Sequence, residues 1–247
     1  MSFFDALWRK KAPADFSLGI QTEIHSHLLP AIDDGVKSIE ESIGIIRAFE
    51  KMGVKRIITT PHIMMDFYKN TPEIIQSKLI TLQEALEKEN IQVKVEAAAE
   101  YYLDEGFMSK LNNDEPLLTF GDKYVLFETS YINSSSYLIS ALFAMKSQGY
   151  KPVLAHPERY SYLYSGFDKF KELYDLGMYF QLNTNSLSGY YDKDAKKFAE
   201  KLIDNNMIDF IGSDCHGFRH LEALKKSTHT AYYQKALKLK LLNDRVE

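Results

Sequence analysis

Two histidines separated by a single residue, His25 and His27, lie in the stretch TEIHSHLLPAIDDG over residues 22–35. The chain of 247 residues has only seven histidines, and the pair Asp33 and Asp34 follows within the same stretch. Residues two apart on a β-strand point to the same side of it. If this segment forms a strand, the two imidazoles project together, as two ligands of one metal ion would.

Other histidines and acids lie at the carboxyl ends of other predicted β-segments. They are His62, Glu100, Glu128, His156, Asp214 and His216, of which the last two are again two residues apart. Buried imidazoles and carboxylates that converge without a counter-charge are costly, and bound divalent cations remove that cost. A donor set of nitrogen and oxygen without thiolate suits zinc, manganese or iron better than calcium or magnesium. Eight or nine donors exceed the needs of one ion, so we expect two or three divalent metal ions, with Glu100 able to bridge two of them.

The elements that must position these donors alternate between short β-rich runs and amphipathic helices. Seven strands are predicted, at IQTEIHSH, RIITTPH, VKVEAAAE, YVLFETS, KPVLAHP, YFQLNTN and IDFIGSDCH. This alternation is typical of parallel strands covered by helices. An open doubly wound sheet or a closed barrel could hold seven such units. Donors at nearly every strand end favour an α/β barrel, because all strand ends of a barrel meet at one mouth.

Two of the predicted helices carry clear start signals. Ser38 and Glu41 have the spacing of a capping box, and Gly53 follows the end of the same helix. Thr71 and Pro72 have the residue types of an N-cap and a first helical position.

Length and charge limit the class of protein. A chain of 247 residues commonly forms one barrel, so we predict a single domain over residues 1–247. Residues 1–19 are expected to be an N-terminal helical extension, because the apolar residues of FFDALW have helical spacing.

The net charge of −4, with both signs well mixed, argues against a nucleic-acid partner. No apolar run is long enough for stable membrane insertion or for a secretory signal, and the single cysteine fits a reducing compartment. We therefore expect a cytoplasmic protein.

Six short motifs resemble, in this order, those of the PHP (polymerase and histidinol phosphatase) superfamily: HSH, DDG, TTPH, AAAE, LAHPERY and GSDCH. Within that superfamily the chain is most similar to the bacterial capsule-type tyrosine phosphatases. The resemblance implies a distorted seven-stranded (β/α) TIM-like barrel, the PHP fold, with a trinuclear centre that often holds manganese or iron. It also implies hydrolysis of phosphotyrosine on a protein, namely a bacterial tyrosine kinase that controls exopolysaccharide synthesis.

Carried over position by position, the resemblance implies nine metal ligands: His25, His27, Asp34, His62, Glu100, Glu128, His156, Asp214 and His216. Asp34 is preferred to Asp33 by alignment to the DDG motif, since chemistry alone does not separate the two. Arg159, in HPERY, matches the family's phosphate-contacting arginine. A second arginine, which the family often carries several residues after the last DxH, is not found at that spacing. Arg219 and His220 lie closer to the motif and are further candidate catalytic residues.

The implied reaction is direct attack on phosphorus by a hydroxide that bridges metal ions. Metal binding lowers the pKa of water from about 16 to about 7, and Arg159 would hold phosphoryl oxygens. Cysteine-dependent tyrosine phosphatases need an arginine six positions after the nucleophile, and here Leu221 lies six positions after Cys215. That chemistry is therefore excluded. Cys215 is expected to point away from the ligands and to pack in the core.

Three other functions fit parts of the pattern. The chain could be a phosphatase of a small molecule such as histidinol phosphate, or an amidohydrolase, since amidohydrolases also begin with HxH. Glu100 as the bridging residue and the late DxH pair favour a phosphoesterase over an amidohydrolase. A non-catalytic binding module is the third possibility, but such modules usually lack several ligands and this sequence has all of them.

Overall fold

Parallel strands alternate with helices over residues 17–164 and 166–246, which the computed structural model describes. The strands are β1 (Thr22–Ile24), β2 (Arg56–Thr59), β3 (His62–Ile63), β4 (Lys94–Ala97), β5 (Glu100–Tyr102), β6 (Tyr124–Glu128), β7 (Lys151–Ala155), β8 (Tyr179–Asn183) and β9 (Phe210–Gly212). The α-helices are α1 (Ile39–Lys51), α2 (Pro72–Lys88), α3 (Glu105–Asn112), α4 (Leu138–Ser147), α5 (Phe167–Asp175), α6 (Lys193–Asp204), α7 (Phe218–Thr228) and α8 (Ala231–Ala236). Short 3-10 helices span Pro157–Arg159, Ser161–Leu163, Thr184–Ser188 and Asn243–Arg245. The predicted α/β class with parallel strands is confirmed.

The strands form two sheets instead of one closed seven-stranded barrel, so this part of the prediction is wrong. One sheet has the order β1-β2-β4 and the other the order β3-β5-β6-β7-β8-β9. The described residues contain nine strands because two of the seven predicted strands are interrupted. RIITTPH breaks at Thr60 and Pro61, where proline has no N–H to give to a ladder. VKVEAAAE breaks at the neighbouring Ala98 and Ala99.

The edge strands β1 and β9 are joined by a few specific bonds instead of a ladder. Near their carboxyl ends, Ser26 and Cys215 form an isolated parallel bridge. The Glu23 carboxylate accepts a bond from the Ser213 N–H at 2.6 Å. The Asn243 amide donates to the carbonyl oxygens of Thr22 at 3.1 Å and of Ile211 at 2.8 Å. The C-terminal segment therefore ties the two sheets together near the amino end of β1.

The helix start signals act largely as predicted. Ser38 Oγ accepts the Glu41 N–H at 3.3 Å, which is one of the two bonds of a capping box. In place of the second bond, the Glu41 carboxylate accepts the N–H of Lys37 and not that of Ser38. Thr71 Oγ1 accepts the Ile74 N–H at 3.4 Å, and Pro72 is the first residue of α2. These caps satisfy N–H groups that a helix leaves without intrahelical partners.

The strands enclose a small apolar cluster that is separate from the larger core under the helices. Its members are Ile24, Ile58, Ala98, Phe120, Tyr124, Leu126, Val153, Ala155, Phe210 and Val246. Two of them immediately precede predicted ligands along the chain: Ile24 precedes His25, and Ala155 precedes His156. This cluster gives the strand ends an apolar floor beneath the polar site.

The predicted N-terminal helix lies almost wholly outside the described residues. Residues 17–19, which are described, are not helical. Leu18 is buried, and its backbone N–H donates to Met52 O at 3.0 Å. That residues 1–247 form a single domain stays a prediction. Within residues 17–164 and 166–246, no helix has the length and apolar character needed to cross a bilayer.

Candidate metal centre

All nine residues predicted as ligands lie in one cluster, although His62 and Glu100 begin β3 and β5 instead of ending a strand as predicted. This donor cluster consists of His25, His27, Asp34, His62, Glu100, Glu128, His156, Asp214 and His216. Most of its side chains are buried, whereas that of Asp34 is 52 % exposed at the mouth of the site. The sequence therefore identified a set of residues that the fold brings together from both sheets.

The Glu100 carboxylate lies at the centre of the donor cluster. Its Oε2 atom is 3.1 Å from His25 Nε2, 3.3 Å from His27 Nε2 and 3.3 Å from His62 Nδ1. Its other oxygen, Oε1, is 3.1 Å from His156 Nε2. One carboxylate thus faces four imidazoles from three separate parts of the chain, which is the position expected of a ligand shared between ions.

Asp214 lies on a second side of the same cluster. Its Oδ1 atom is 3.3 Å from His25 Nε2, 3.4 Å from His27 Nε2 and 3.3 Å from His216 Nδ1. His25 and His27 therefore face both Glu100 and Asp214 with the same nitrogen, so these four residues surround one point.

The remaining donors extend the cluster toward solvent. Asp34 Oδ1 is 3.4 Å from both His62 Nε2 and His216 Nε2. Glu128 Oε1 is 3.4 Å from His62 Nδ1, and Glu128 Oε2 is 3.6 Å from His156 Nε2. The His62 ring thus lies between Asp34 on its Nε2 side and Glu100 and Glu128 on its Nδ1 side.

The cluster fits bound divalent cations. His25 Nε2, His27 Nε2, His62 Nδ1 and Glu100 Oε2 are buried and make no hydrogen bond within the described part of the chain. Burial, reinforced by the charge of Glu100, raises the pKa of Glu128 well above that of an ordinary carboxyl group. Unpartnered polar atoms and crowded carboxylates are unfavourable in a protein interior. Three overlapping donor groups could each hold an ion: His27, Asp34, His62 and His216; His25, His27, Glu100 and Asp214; and His62, Glu100 and Glu128.

Two buried residues that orient the histidines were not identified as such from the sequence. Asp33 Oδ2 is 2.8 Å from His27 Nδ1, and Gln181 Oε1 is 2.6 Å from His25 Nδ1. Each contact occupies one ring nitrogen and leaves Nε2 to face the cluster, which is how residues around a metal site commonly orient its ligands. For Gln181 the only sequence signal was a polar residue in the middle of an apolar strand.

Left-handed backbone conformations, and not strand alternation, aim several donors into the site. His25 has φ of 74°, His156 of 34° and Asp214 of 48°. Non-glycine residues rarely adopt such angles, and those that do often lie at functional sites. Strand β1 ends at Ile24, so the reason given for the convergence of His25 and His27 was wrong although the convergence itself is observed.

Arg159 is held beside the donor cluster by a carboxylate and two aromatic rings. One of its terminal nitrogens donates to Asp214 Oδ2 at 2.9 Å. Its guanidinium carbon lies 4.4 Å from the ring centre of Tyr131 and 4.0 Å from that of Tyr191. Tyr131 also donates its hydroxyl hydrogen to Glu128 Oε2 at 3.0 Å. These contacts fix a cation at the wall of the site.

The site opens through a cleft of about 620 Å³. It is lined by Asp34, His62, Met64, Tyr68, Glu100, Tyr102, Glu128, Thr129, Ser130, Tyr131, Ile132, His156, Arg159, Tyr191, Asp214, His216 and His220. His220 therefore lies where a phosphate-contacting residue was expected, but Arg219 does not. Consecutive helical residues point roughly 100° apart, so α7 directs His220 to the cleft and leaves Arg219 exposed.

Cys215 is buried in the core, as predicted. Burial raises the pKa of its thiol, and Sγ donates to Gly217 O at 3.5 Å. A thiol held in its protonated form is a poor nucleophile, which agrees with the exclusion of cysteine-dependent chemistry.

Several known proteins are similar to this chain. Tyrosine-protein phosphatase YwqE of Bacillus subtilis is 32% identical over 197 residues, which are 80% of this chain and 78% of that protein. The putative tyrosine-protein phosphatase CapC of Staphylococcus aureus is 28% identical over 235 residues, 91% of this chain and 92% of that protein.

Solved structures extend the comparison to the fold. A crystal structure described as one of YwqE from Bacillus subtilis and CpsB from Streptococcus pneumoniae, metal-dependent tyrosine phosphatases, has a TM-score of 0.76 and 29% identity. The match covers 92% of this chain and 95% of that one. A histidinol phosphate phosphatase from Lactococcus lactis, with a TM-score of 0.51 and 16% identity over 87% of this chain and 93% of that one, shares the fold alone. The model of the CpsB/CapC family, described as capsular polysaccharide synthesis, matches residues 21–237. The resemblance to the capsule-type phosphatases is thereby confirmed, and the chain belongs to the CpsB/CapC family.

Proposed function

We propose that this chain is a metal-dependent protein-tyrosine phosphatase that acts on a phosphotyrosine protein of capsule or exopolysaccharide synthesis. The observation that carries the proposal is the convergence of three imidazole nitrogens within 3.3 Å of Glu100 Oε2. The similarity to YwqE, CapC and CpsB supports the substrate class. Within that class, a bacterial tyrosine kinase stays the predicted substrate. The cytoplasm stays the predicted compartment.

The donor cluster is proposed to hold two or three divalent ions. Its nitrogen and oxygen donors suit manganese or iron, and also zinc. When bound, such ions supply Lewis acidity and lower the pKa of water from about 16 to about 7. The residues of the chain would do the positioning: Glu100 belongs to two of the donor groups and would serve both, while Asp33 and Gln181 orient His27 and His25.

Arg159 is proposed to bind the phosphoryl group. One terminal nitrogen is used by Asp214, and stacking on Tyr131 and Tyr191 fixes the plane of the guanidinium. The remaining N–H donors of a guanidinium suit phosphoryl oxygens. Because the side chain is already restrained, less rotational freedom is lost when substrate binds.

His220 is proposed to assist the leaving group. Its Nδ1 accepts the backbone N–H of His216 at 3.3 Å, which places the proton of the neutral ring on Nε2. A phenol has a pKa of about 10 and leaves more readily than an alkyl alcohol. We therefore propose that His220 Nε2–H donates a hydrogen bond to the phenolate oxygen of the leaving tyrosine and stabilises its charge.

The shape of the cleft favours an aryl phosphate. Four tyrosines line it, namely Tyr68, Tyr102, Tyr131 and Tyr191, and such rings pack against another ring in offset or edge-to-face geometry.

The strands do not form the closed seven-stranded barrel that the sequence predicted. Instead we infer that the two sheets act as one interrupted barrel, tied across β1 and β9 by the Ser26–Cys215 bridge.

The decisive test compares three substrates with protein purified in the presence of manganese. A phosphotyrosine peptide should show the highest kcat/KM, p-nitrophenyl phosphate a lower one, and histidinol phosphate the lowest. A chelator should abolish the activity, and added manganese should restore it. Preference for histidinol phosphate, or turnover that resists chelation, would overturn the proposal.

A further inference from the structure

The mouth of the cleft has the same arrangement in three separate loops. In each loop one tyrosine lines the cleft, and a chain neighbour of that tyrosine presents an apolar side chain to solvent. The tyrosines are Tyr68, Tyr131 and Tyr191, and their exposed neighbours, here called the rim, are Phe67, Ile132 and Tyr190. Of the rim residues, Ile132 also borders the cleft. Phe67 is 74% exposed and Ile132 is 73% exposed.

Exposed apolar side chains concentrate at this mouth. Nine large apolar residues are exposed among those the structure describes, and five of them belong to these three loops: Met65, Phe67, Tyr131, Ile132 and Tyr190. The other four lie on α2 and α4. Single exposed apolar residues need no explanation, but a group of them around a cleft marks a binding surface.

The loop that carries Phe67 is held in shape by hydrogen bonds. Met64 and Tyr68 exchange two backbone bonds, at 2.9 Å and 3.1 Å. The Met65 N–H donates to Asp104 Oδ2 at 2.8 Å. The ring of Tyr68 stacks on His62, 5.4 Å between centres. Phe67 is therefore presented to solvent by a fixed backbone.

The loop that carries Ile132 is similarly restrained. Ser130 Oγ accepts the N–H groups of Ile132 and Asn133 at 3.3 Å and 3.2 Å. Tyr131 O accepts both the N–H and the hydroxyl of Ser161 at 2.9 Å. A surface formed before binding loses little conformational entropy when a partner is bound.

We propose that the rim binds the residues next to phosphotyrosine in the protein substrate and selects segments whose flanking side chains are apolar. This inference rests on the proposed function. A phosphotyrosine that reaches the donor cluster fills the cleft, and successive residues of an extended segment lie about 3.3 Å apart. Its chain neighbours must then lie at the mouth, against Phe67 and Ile132. A small phosphomonoester held in the cleft has no atoms that reach Phe67, which lies outside the cleft lining.

Binding of two phosphotyrosine peptides tests the inference. Both carry a non-hydrolysable phosphonate in place of the phosphate ester; one has leucine on each side of that residue, and the other has serine. The manganese-loaded protein should bind the leucine peptide about tenfold more tightly, which corresponds to about 1.4 kcal/mol. In Phe67→Ser and Ile132→Ser the preference should disappear. Phe143→Ser, which changes a 52% exposed residue of α4 that does not line the cleft, should keep it.

The same variants separate this inference from the proposed function. Phe67→Ser should hydrolyse p-nitrophenyl phosphate like the unaltered chain, because Phe67 does not line the cleft that holds this substrate. Equal affinity of the unaltered chain for both peptides would overturn the inference, as would a leucine preference that survives in both rim variants. If the unaltered chain did not hydrolyse p-nitrophenyl phosphate, that result would count against the proposed function. The peptide affinities would still decide the role of the rim.

Discussion

The Asp33 carboxylate holds the His27 imidazole through a contact of 2.8 Å between Oδ2 and Nδ1. The same oxygen accepts the backbone N–H of His62 at 3.1 Å, and Oδ1 accepts that of Gly35 at 2.9 Å. One buried side chain thus fixes the ring of one proposed ligand and the backbone of a second. Asp34, its neighbour in the DDG motif, instead faces His62 and His216. The two aspartates of this motif have different tasks.

Replacing Asp33 with asparagine should weaken metal binding without removing a ligand. Loss of the charged acceptor at His27 Nδ1 frees the ring to rotate, and loss of such an orienting contact typically costs 10–100-fold in metal affinity. Calorimetric titration of the metal-free protein with manganese measures the change. Asp66→Asn, at an exposed position of the mouth, is the matched control and should bind like the unaltered chain. Unchanged affinity in Asp33→Asn would show that the contact has no orienting role.

Arg159→Lys should lower kcat/KM for a phosphotyrosine peptide by about 100-fold, the loss typical of removing one donor that stabilises a transition state. Lysine keeps the charge but not the planar fork that stacks between Tyr131 and Tyr191. Steady-state kinetics with Arg219→Lys, whose side chain is exposed outside the cleft lining, provide the comparison and should be near normal. An Arg159→Lys enzyme with ordinary kinetics would remove this residue from the site.

His156→Ala should abolish turnover and leave the chain folded at 25 °C. The lost ring faces Glu100 and Glu128, and it lies beyond the end of β7 instead of within the apolar core. Circular dichroism and a phosphotyrosine assay measure the two effects separately. His229→Ala, at an exposed histidine outside the donor cluster, should retain both fold and activity. Comparable activity in His156→Ala would contradict its assignment as a ligand.

Cys215→Ser should retain most of the activity and lose stability. The thiol is buried, and a hydroxyl in its place costs about 1–3 kcal/mol of unfolding free energy where it lacks a good partner. Urea unfolding and a phosphatase assay on the same sample measure both quantities. An inactive Cys215→Ser protein with normal metal content would point to thiolate catalysis.

The order and type of most elements could be predicted from the sequence, because apolar periodicity and caps such as Ser38 and Thr71 act locally. The helix α3 was not predicted. The interruptions of the strands could not. The break before His62 depends on Pro61, and the break before Glu100 falls between alanines that show no turn signal. Neither the two-sheet arrangement nor the role of Asn243 across β1 and β9 follows from residue patterns, since both depend on contacts distant in sequence.

The site was predictable to the extent that its residue types are unusual. Histidines and acids at successive strand ends marked the donor cluster, and Arg159 was identified through the resemblance in HPERY. The left-handed backbone conformations of His25 and Asp214 could not be predicted, because nothing in their residue types requires φ above zero. Of the two open candidates Arg219 and His220, only His220 lines the cleft, and the sequence could not separate them because the direction of a side chain along α7 is fixed only when the helix start is known.

Elemental analysis of the purified, active protein tests the central claim most directly. We expect two or three equivalents of manganese, iron or zinc per chain, and a loss of at least one equivalent in His156→Ala. Fewer than one equivalent in a preparation that hydrolyses phosphotyrosine would contradict a multinuclear centre held by the donor cluster.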